Sequence, residues 1–170
     1  DAQRKKLQHS APVQALLHTL KTHGLAQIRT VQGGWLHSDA FDPVFGVLSL
    51  PDITFAPGAL TDEQLKTFGV VRHVIGHLRL RGQPQLTDLG GLNALLAVEG
   101  DLCIENTGVQ VLADALPMLE RIKGQCQLLG NLQLTRCEGF HRLLSIDASL
   151  EIKDSPQLES LVGFDRLVEI

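Results

Sequence analysis

From Val74 onward the chain repeats itself every 24 residues, and this constrains its fold more than any other feature. Val74, Val98, Ile122, Ile146 and Ile170 are evenly spaced. Two residues on come Gly76, Gly100, Gly124 and Ala148, then Leu78, Leu102, Cys126 and Leu150, then Leu80, Ile104, Leu128 and Ile152. Gly82, Asn106, Gly130 and Asp154 follow, and they suit a tight bend where positive φ costs little. The unit closes with Leu92, Leu116, Phe140 and Phe164, and with Leu95, Leu119, Leu143 and Leu167.

The alternation around Leu78 and Leu80 predicts a short strand with one face inward. The later leucines recur every third residue, which fits a loop or 3₁₀-like return leg. No such unit can bury its apolar side alone, so copies must cover one another. The expected architecture is a right-handed, leucine-rich-repeat-like β-solenoid of 24-residue turns with an N-terminal capping α-helix. An irregular copy lies upstream: Val44, Gly46, Leu48, Leu50 and Asp52 match the strand positions, and Leu65, Phe68 and Val71 match the return leg. Its six extra residues are placed near Ile53 to Thr61, around Ala56-Pro57-Gly58. Thr61 and Gln64 form a capping-box pattern that predicts a short helix. Residues 44–170 are therefore expected to hold five repeats, and residues 1–43 a helical cap and lead-in strand. Within that cap Ser10 starts a helix over about Ala11–His23, with Val13, Leu16, Leu17 and Leu20 on one face and Gly24 as the stop. Val31–His37 is the candidate lead-in strand.

Val74-x-Gly76-x-Leu78-x-Leu80 and Gly90-Gly91-Leu92-x-x-Leu95, with copies such as Val162-Gly163-Phe164-x-x-Leu167, resemble the receptor L-domain type of leucine-rich repeat. That type occurs in the ligand-binding ectodomains of growth-factor and insulin-type receptors. An ordinary leucine-rich repeat fits less well, since it would place leucine at Gly76, Gly100 and Gly124. The resemblance implies a β-helix-like solenoid and a binding role, without naming what is bound.

Composition narrows the function classes. The net charge is −4 with no basic stripe, which argues against a nucleic-acid partner. No apolar run approaches the ~18 residues a membrane helix needs. Cys103, Cys126 and Cys137 make an odd number, and no Asn-x-Ser/Thr acceptor occurs. Both features lean toward a reducing, cytoplasmic setting, with an extracellular one left open. The chain starts at Asp1 and stops just as Ile170 opens another copy, so a fragment of a longer protein is expected.

Outward strand positions should stack across neighbouring copies, roughly 4.8 Å apart. The first such row is Val47, His77, Asp101, Gln125 and Ser149. The second is Ser49, Arg79, Cys103, Gln127 and Glu151, and the third is Pro51, Arg81, Glu105, Leu129 and Lys153. This polar, charge-balanced face is the expected partner-binding surface, through His77, Arg79, Arg81, Asp101, Cys103, Glu105, Gln125, Gln127, Glu151 and Lys153. The same pattern also fits a solvated face held by ion pairs worth ~0–1 kcal/mol each. Trp35, the single tryptophan, and Phe55, at the tip of the insertion, are further candidate contacts.

His77, Asp101 and Cys103 fall together on adjacent copies. Such a set can make an activated thiolate or bind zinc. A flat sheet gives it no enclosed pocket and no oxyanion donor, so neither an enzyme nor a metal or cofactor site is expected. Cys126 and Cys137 take leucine positions and should point inward. The expected function is a protein-interaction module. It would bind an unidentified protein on the sheet face, the insertion loop or the open C-terminal edge, with self-association through that edge as one form. A ligand-binding ectodomain of a secreted or surface protein is the alternative.

Overall fold

The computed structural model describes residues 2–23, 40–113 and 115–170. Two helices come first, α1 (Ala2–Gln8) and α2 (Ala11–His23). The strands are β1 (Phe41–Asp42), β2 (Val47–Thr54), β3 (His73–Arg81), β4 (Ala97–Val98), β5 (Leu102–Glu105), β6 (Arg121–Ile122), β7 (Cys126–Leu129), β8 (Ser145–Ile146) and β9 (Leu150–Lys153). A one-turn helix α3 (Asp62–Leu65) stands between β2 and β3, followed by a 3₁₀ turn over Lys66–Val70.

The solenoid expected from the repeat is corrected. The described residues form a single, mostly parallel nine-stranded sheet with few helices, an α/β-like arrangement. Strand order is the finding that overturns it: β8-β6-β4-β3-β5-β7-β9, with β2 on β3 and β1 antiparallel to β2. β3 joins two series of short strands, pairing Val74 with Val98 of β4 and Leu78 with Leu102 of β5. The physical reason is that a period fixes only the step between partners. Here that step is met by lateral pairing, Leu78 with Leu102, Leu102 with Cys126 and Cys126 with Leu150, and the period alone specifies no coil.

The upstream copy is also corrected. Leu48 pairs with Val74, whereas Ile53 pairs with Leu78, and the register shifts between Ser49 and Asp52. Part of the excess length is therefore absorbed as a bulge inside β2, which re-aims the residues after it. Gly76 faces this bulge with φ 127°, and a Cβ there would lie 1.9 Å from Leu50 O. Only glycine fits so close an approach. The next copies crowd in the same way: a Cβ on Gly100 would meet Gly76 O at 2.6 Å. Glycine stands where a common leucine-rich repeat has leucine because neighbouring backbones touch there.

The core is continuous from α2 to β8. Val13, Leu16 and Leu20 are buried, and α2 packs on the 3₁₀ turn Lys66–Val70. α1, which the sequence pattern did not predict, packs beside α2, and Arg4 of α1 pairs with Asp42 of β1. Thr61 and Gln64 form the capping box at α3, with Thr61 N–H donating to Gln64 Oε1 at 2.8 Å. The inward strand residues and the return-leg leucines from Leu78 to Leu143 are fully buried.

Candidate functional site

Pairing brings the outward residues of β3, β5, β7 and β9 into rows at the expected step. Arg79, Cys103, Gln127 and Glu151 share one row, and Arg81, Glu105, Leu129 and Lys153 share the next. The β2 end differs because of the bulge: Asp52 stands beside His77 and Thr54 beside Arg79, in place of Val47 and Ser49.

Asp101 is the hub of this face. Arg79 donates to its Oδ2 at 3.1 Å and pairs on the other side with Asp52. Gln125 N–H donates to Asp101 Oδ1 at 2.9 Å. Partial burial works against the Asp101 charge, but the Gln125 amide and Arg79 outweigh it and hold this carboxyl below the usual carboxylate range. His77 Nδ1 lies 2.9 Å from Asp101 N and 3.0 Å from Asp101 Oδ2, so this one nitrogen faces both a donor and an acceptor of the same residue. Asp52 Oδ1 is buried without a partner among the described residues.

Cys103 does not join that cluster. The expectation that it lies on an open surface is corrected: it is fully buried. Its Sγ accepts from Arg81 Nε at 3.2 Å, and the same Nε lies 3.0 Å from Glu105 Oε2. The arms of Arg81 and Glu105 close over the thiol and exclude water. Burial pushes its pKa up, and the neighbouring guanidinium offsets only part of that rise. Further along, Gln127 donates to Glu151 Oε2 at 3.0 Å, and Lys153 pairs with Glu151. These hydrogen bonds hold the Glu151 carboxyl low. The face is therefore a set of ion pairs, complete but for Asp52 Oδ1, that ties neighbouring strands together.

The other candidates divide. Phe55 is corrected from a projecting tip to a core residue: it is buried and packs edge-on against Phe68, ring centroids 6.1 Å apart. Trp35 and the lead-in strand Val31–His37 lie outside the described residues. Cys126 and Cys137 are fully buried, and burial pushes the Cys137 thiol up to about 12. Among the described residues no group of three or more His, Cys, Asp or Glu could hold a metal ion. No described helix is long and apolar enough to cross a membrane.

A second candidate surface lies at the β9 edge. Leu150, Ile152, Leu158, Phe164 and Leu167 are only partly buried, whereas their counterparts one copy earlier, Cys126, Leu128, Leu134, Phe140 and Leu143, are fully buried. Phe164 stacks on Phe140, ring centroids 4.8 Å apart, and is itself only half-buried. Leu161, Val162 and Val168 stand exposed nearby. Backbone groups continue the pattern. Leu102 N–H donates to Gln125 O and Cys126 N–H to Ser149 O, at 2.9 and 2.8 Å. The equivalent Leu150 N–H points off the outer edge of β9, which pairs with no further strand among the described residues.

Beside these strands runs a row that sequence reasoning missed: Gln83, Thr107, Asn131 and Ser155, again 24 apart. Gln83 donates to Ala56 O at 2.9 Å and accepts from Leu60 N–H at 2.9 Å. Asn131 donates to Ile104 O at 2.9 Å and accepts from Thr107 N–H at 3.1 Å and Thr107 Oγ1 at 2.8 Å. The first three are buried, and each amide reaches back to the preceding copy. Their place next to the bend positions Gly82, Asn106 and Gly130 was the available signal.

No protein-family model, no curated protein and no solved structure matches the chain.

Proposed function

We propose that the protein is an interaction module that takes an extended segment of a partner protein along the outer edge of β9. One observation carries this reading. Among the described residues β9 has no strand on its outer edge and is flanked by half-covered apolar side chains, whereas every earlier strand of its series is covered on both sides. An edge of that kind is a template for strand addition, in which backbone bonds give affinity and alternate side chains give specificity. The sheet face supports binding less well. A partner docking there must first part Arg79 from Asp52 and Asp101, and Arg81 from Glu105. A non-catalytic role fits the same geometry, since the Cys103 thiol is buried against Arg81 and Glu105, and His77 turns to Asp101.

The test is a pull-down from cell extract with three baits: the unaltered protein, Ile152→Lys, and the double variant Arg79→Glu with Arg81→Glu. The edge variant should lose the partner and the sheet-face variant should keep it. The opposite pattern would move the site to the face. Light scattering on the purified protein then decides whether the partner is a second copy.

A further inference from the structure

The other series of short strands, β4, β6 and β8, carries its own outward row: His73, Ala97, Arg121 and Ser145 are paired in turn. A groove of about 350 Å³, open to solvent, runs along this row. It lies within the repeat, since Ser145 is itself bridged to Glu169 of the following copy. Ala97 and Ser145 are small and flank Arg121, so hollows stand on both sides of the guanidinium.

Two acids, Glu99 and Glu120, line the groove. Both are spent: Glu99 pairs with Lys123, and Glu120 accepts from Arg142 Nη2 at 2.6 Å. Arg121 is exposed and pairs with no acid among the described residues. Ser145 is only 8% exposed, yet its hydroxyl has no hydrogen-bond partner among the described residues. Unlike Asp52 Oδ1 it is not sealed off, so it opens on the groove that Ser145 lines. A cation and a buried donor thus stand on adjacent strands, roughly 4.8 Å apart along the row, with nothing of this chain to satisfy them.

Both groups donate, so the matching ligand is an acceptor and an anion. A phosphate would bring up to about two negative charges beside Glu99 and Glu120. A carboxylate brings one, and its plane fits the forked guanidinium while an oxygen accepts from the hydroxyl. Leu96 and Leu144 supply an apolar wall, Leu144 standing 42% exposed. A free small acid in so open a groove would stay largely in water, whereas a side chain projecting from a protein is covered by the protein that carries it. We infer that Arg121 and Ser145 form a docking site for a glutamate or aspartate side chain of a protein partner, set beside an aliphatic residue that packs on Leu144. The site is separate from the β9 edge and stands without that reading.

NMR titration of the isotope-labelled whole protein, at low salt and up to millimolar ligand, tests this. The probes are the blocked tripeptide N-acetyl-Leu-Glu-Leu-amide, its glutamine twin and inorganic phosphate. The glutamate peptide should shift the Arg121 and Ser145 signals saturably and bind about fivefold or more tightly than the twin. Arg121→Gln should abolish that preference, and Ser145→Ala should weaken glutamate binding about threefold. Arg166→Gln, which removes an exposed arginine outside the groove, should change neither. Absence of saturable shifts, or equal binding of the two peptides, would overturn the inference. So would a preference that survives Arg121→Gln or falls equally with Arg166→Gln, or glutamate binding untouched by Ser145→Ala. Phosphate binding more tightly than the glutamate peptide would overturn the assignment to a carboxylate.

Discussion

Replacing Asn131 with alanine tests whether the buried amide row holds neighbouring copies together. Asn131 is 1% exposed and makes three hydrogen bonds to the copy before it. Alanine strands the Thr107 N–H, which cannot rotate to another acceptor, at ~1–3 kcal/mol. The Thr107 hydroxyl can turn, so its loss lies near the lower end, about 1 kcal/mol. The Ile104 carbonyl has a second lone pair and loses least. Together these give about 2–4 kcal/mol, a large share of the ~5–15 kcal/mol by which a domain is stable. Urea denaturation followed by far-UV circular dichroism reads this directly. With a slope near ~2 kcal/mol/M the midpoint should fall by about 1–2 M at unchanged slope. Gln133→Ala, two residues away and exposed, is the control and should stay within ~0.5 kcal/mol of the unaltered protein. In a double-mutant cycle with Thr107→Val, the two losses should fall short of additive by about 1 kcal/mol. An Asn131→Ala shift no larger than the control, or strict additivity, would refute the reasoning.

Two further outcomes follow from the charges and thiols. Because folding lowers the Asp101 pKa, its contribution is present above the unfolded carboxylate value of about 4 and is lost as pH falls through the lower folded value. Asp101→Asn should therefore be less stable than the unaltered protein at pH 7, with the gap closing as pH drops below about 4; a constant gap from pH 7 to pH 3 would contradict this sign. Cys103, Cys126 and Cys137 are all buried with raised pKa values, so a disulfide exchange reagent at pH 8 should label none of them in the native protein and all of them in denaturant. Prompt native labelling of Cys103 would show that the Arg81 and Glu105 cover is open.

What the sequence conveyed was the step between copies and the side on which each residue lies. The rows through Arg79 and Arg81 followed directly, because a period of 24 and an alternation of two survive any way of joining the strands. What it did not convey was how the strands join, since lateral pairing satisfies the period by itself. Phe55 and Asp52 were misplaced for a related reason: length in excess of the repeat reads as a loop, and a bulge inside β2 leaves no mark beyond a count. Cys103 was read as exposed because alternation reports the face and not its cover. Arg81 Nε and Glu105 Oε2 meet at the thiol, an arrangement that a period of two does not encode.

The two candidate surfaces differ in what a partner would change on arrival. On the sheet face each cation already has its anion, and Asp101 is bound by Arg79 and by Gln125 N–H. Docking there trades existing pairs for new ones, so the net gain per contact is small. On the β9 edge the exchange is with water. Leu150 and Ile152 would gain the cover that Cys126 and Leu128 already have, and the Leu150 N–H would gain the kind of acceptor that Cys126 N–H finds in Ser149 O. Neighbouring copies within this chain are joined by that same set of contacts: an apolar row, a backbone ladder and a buried amide. A strand that repeats the set inherits its register, because a slip of one residue would turn the apolar row to water.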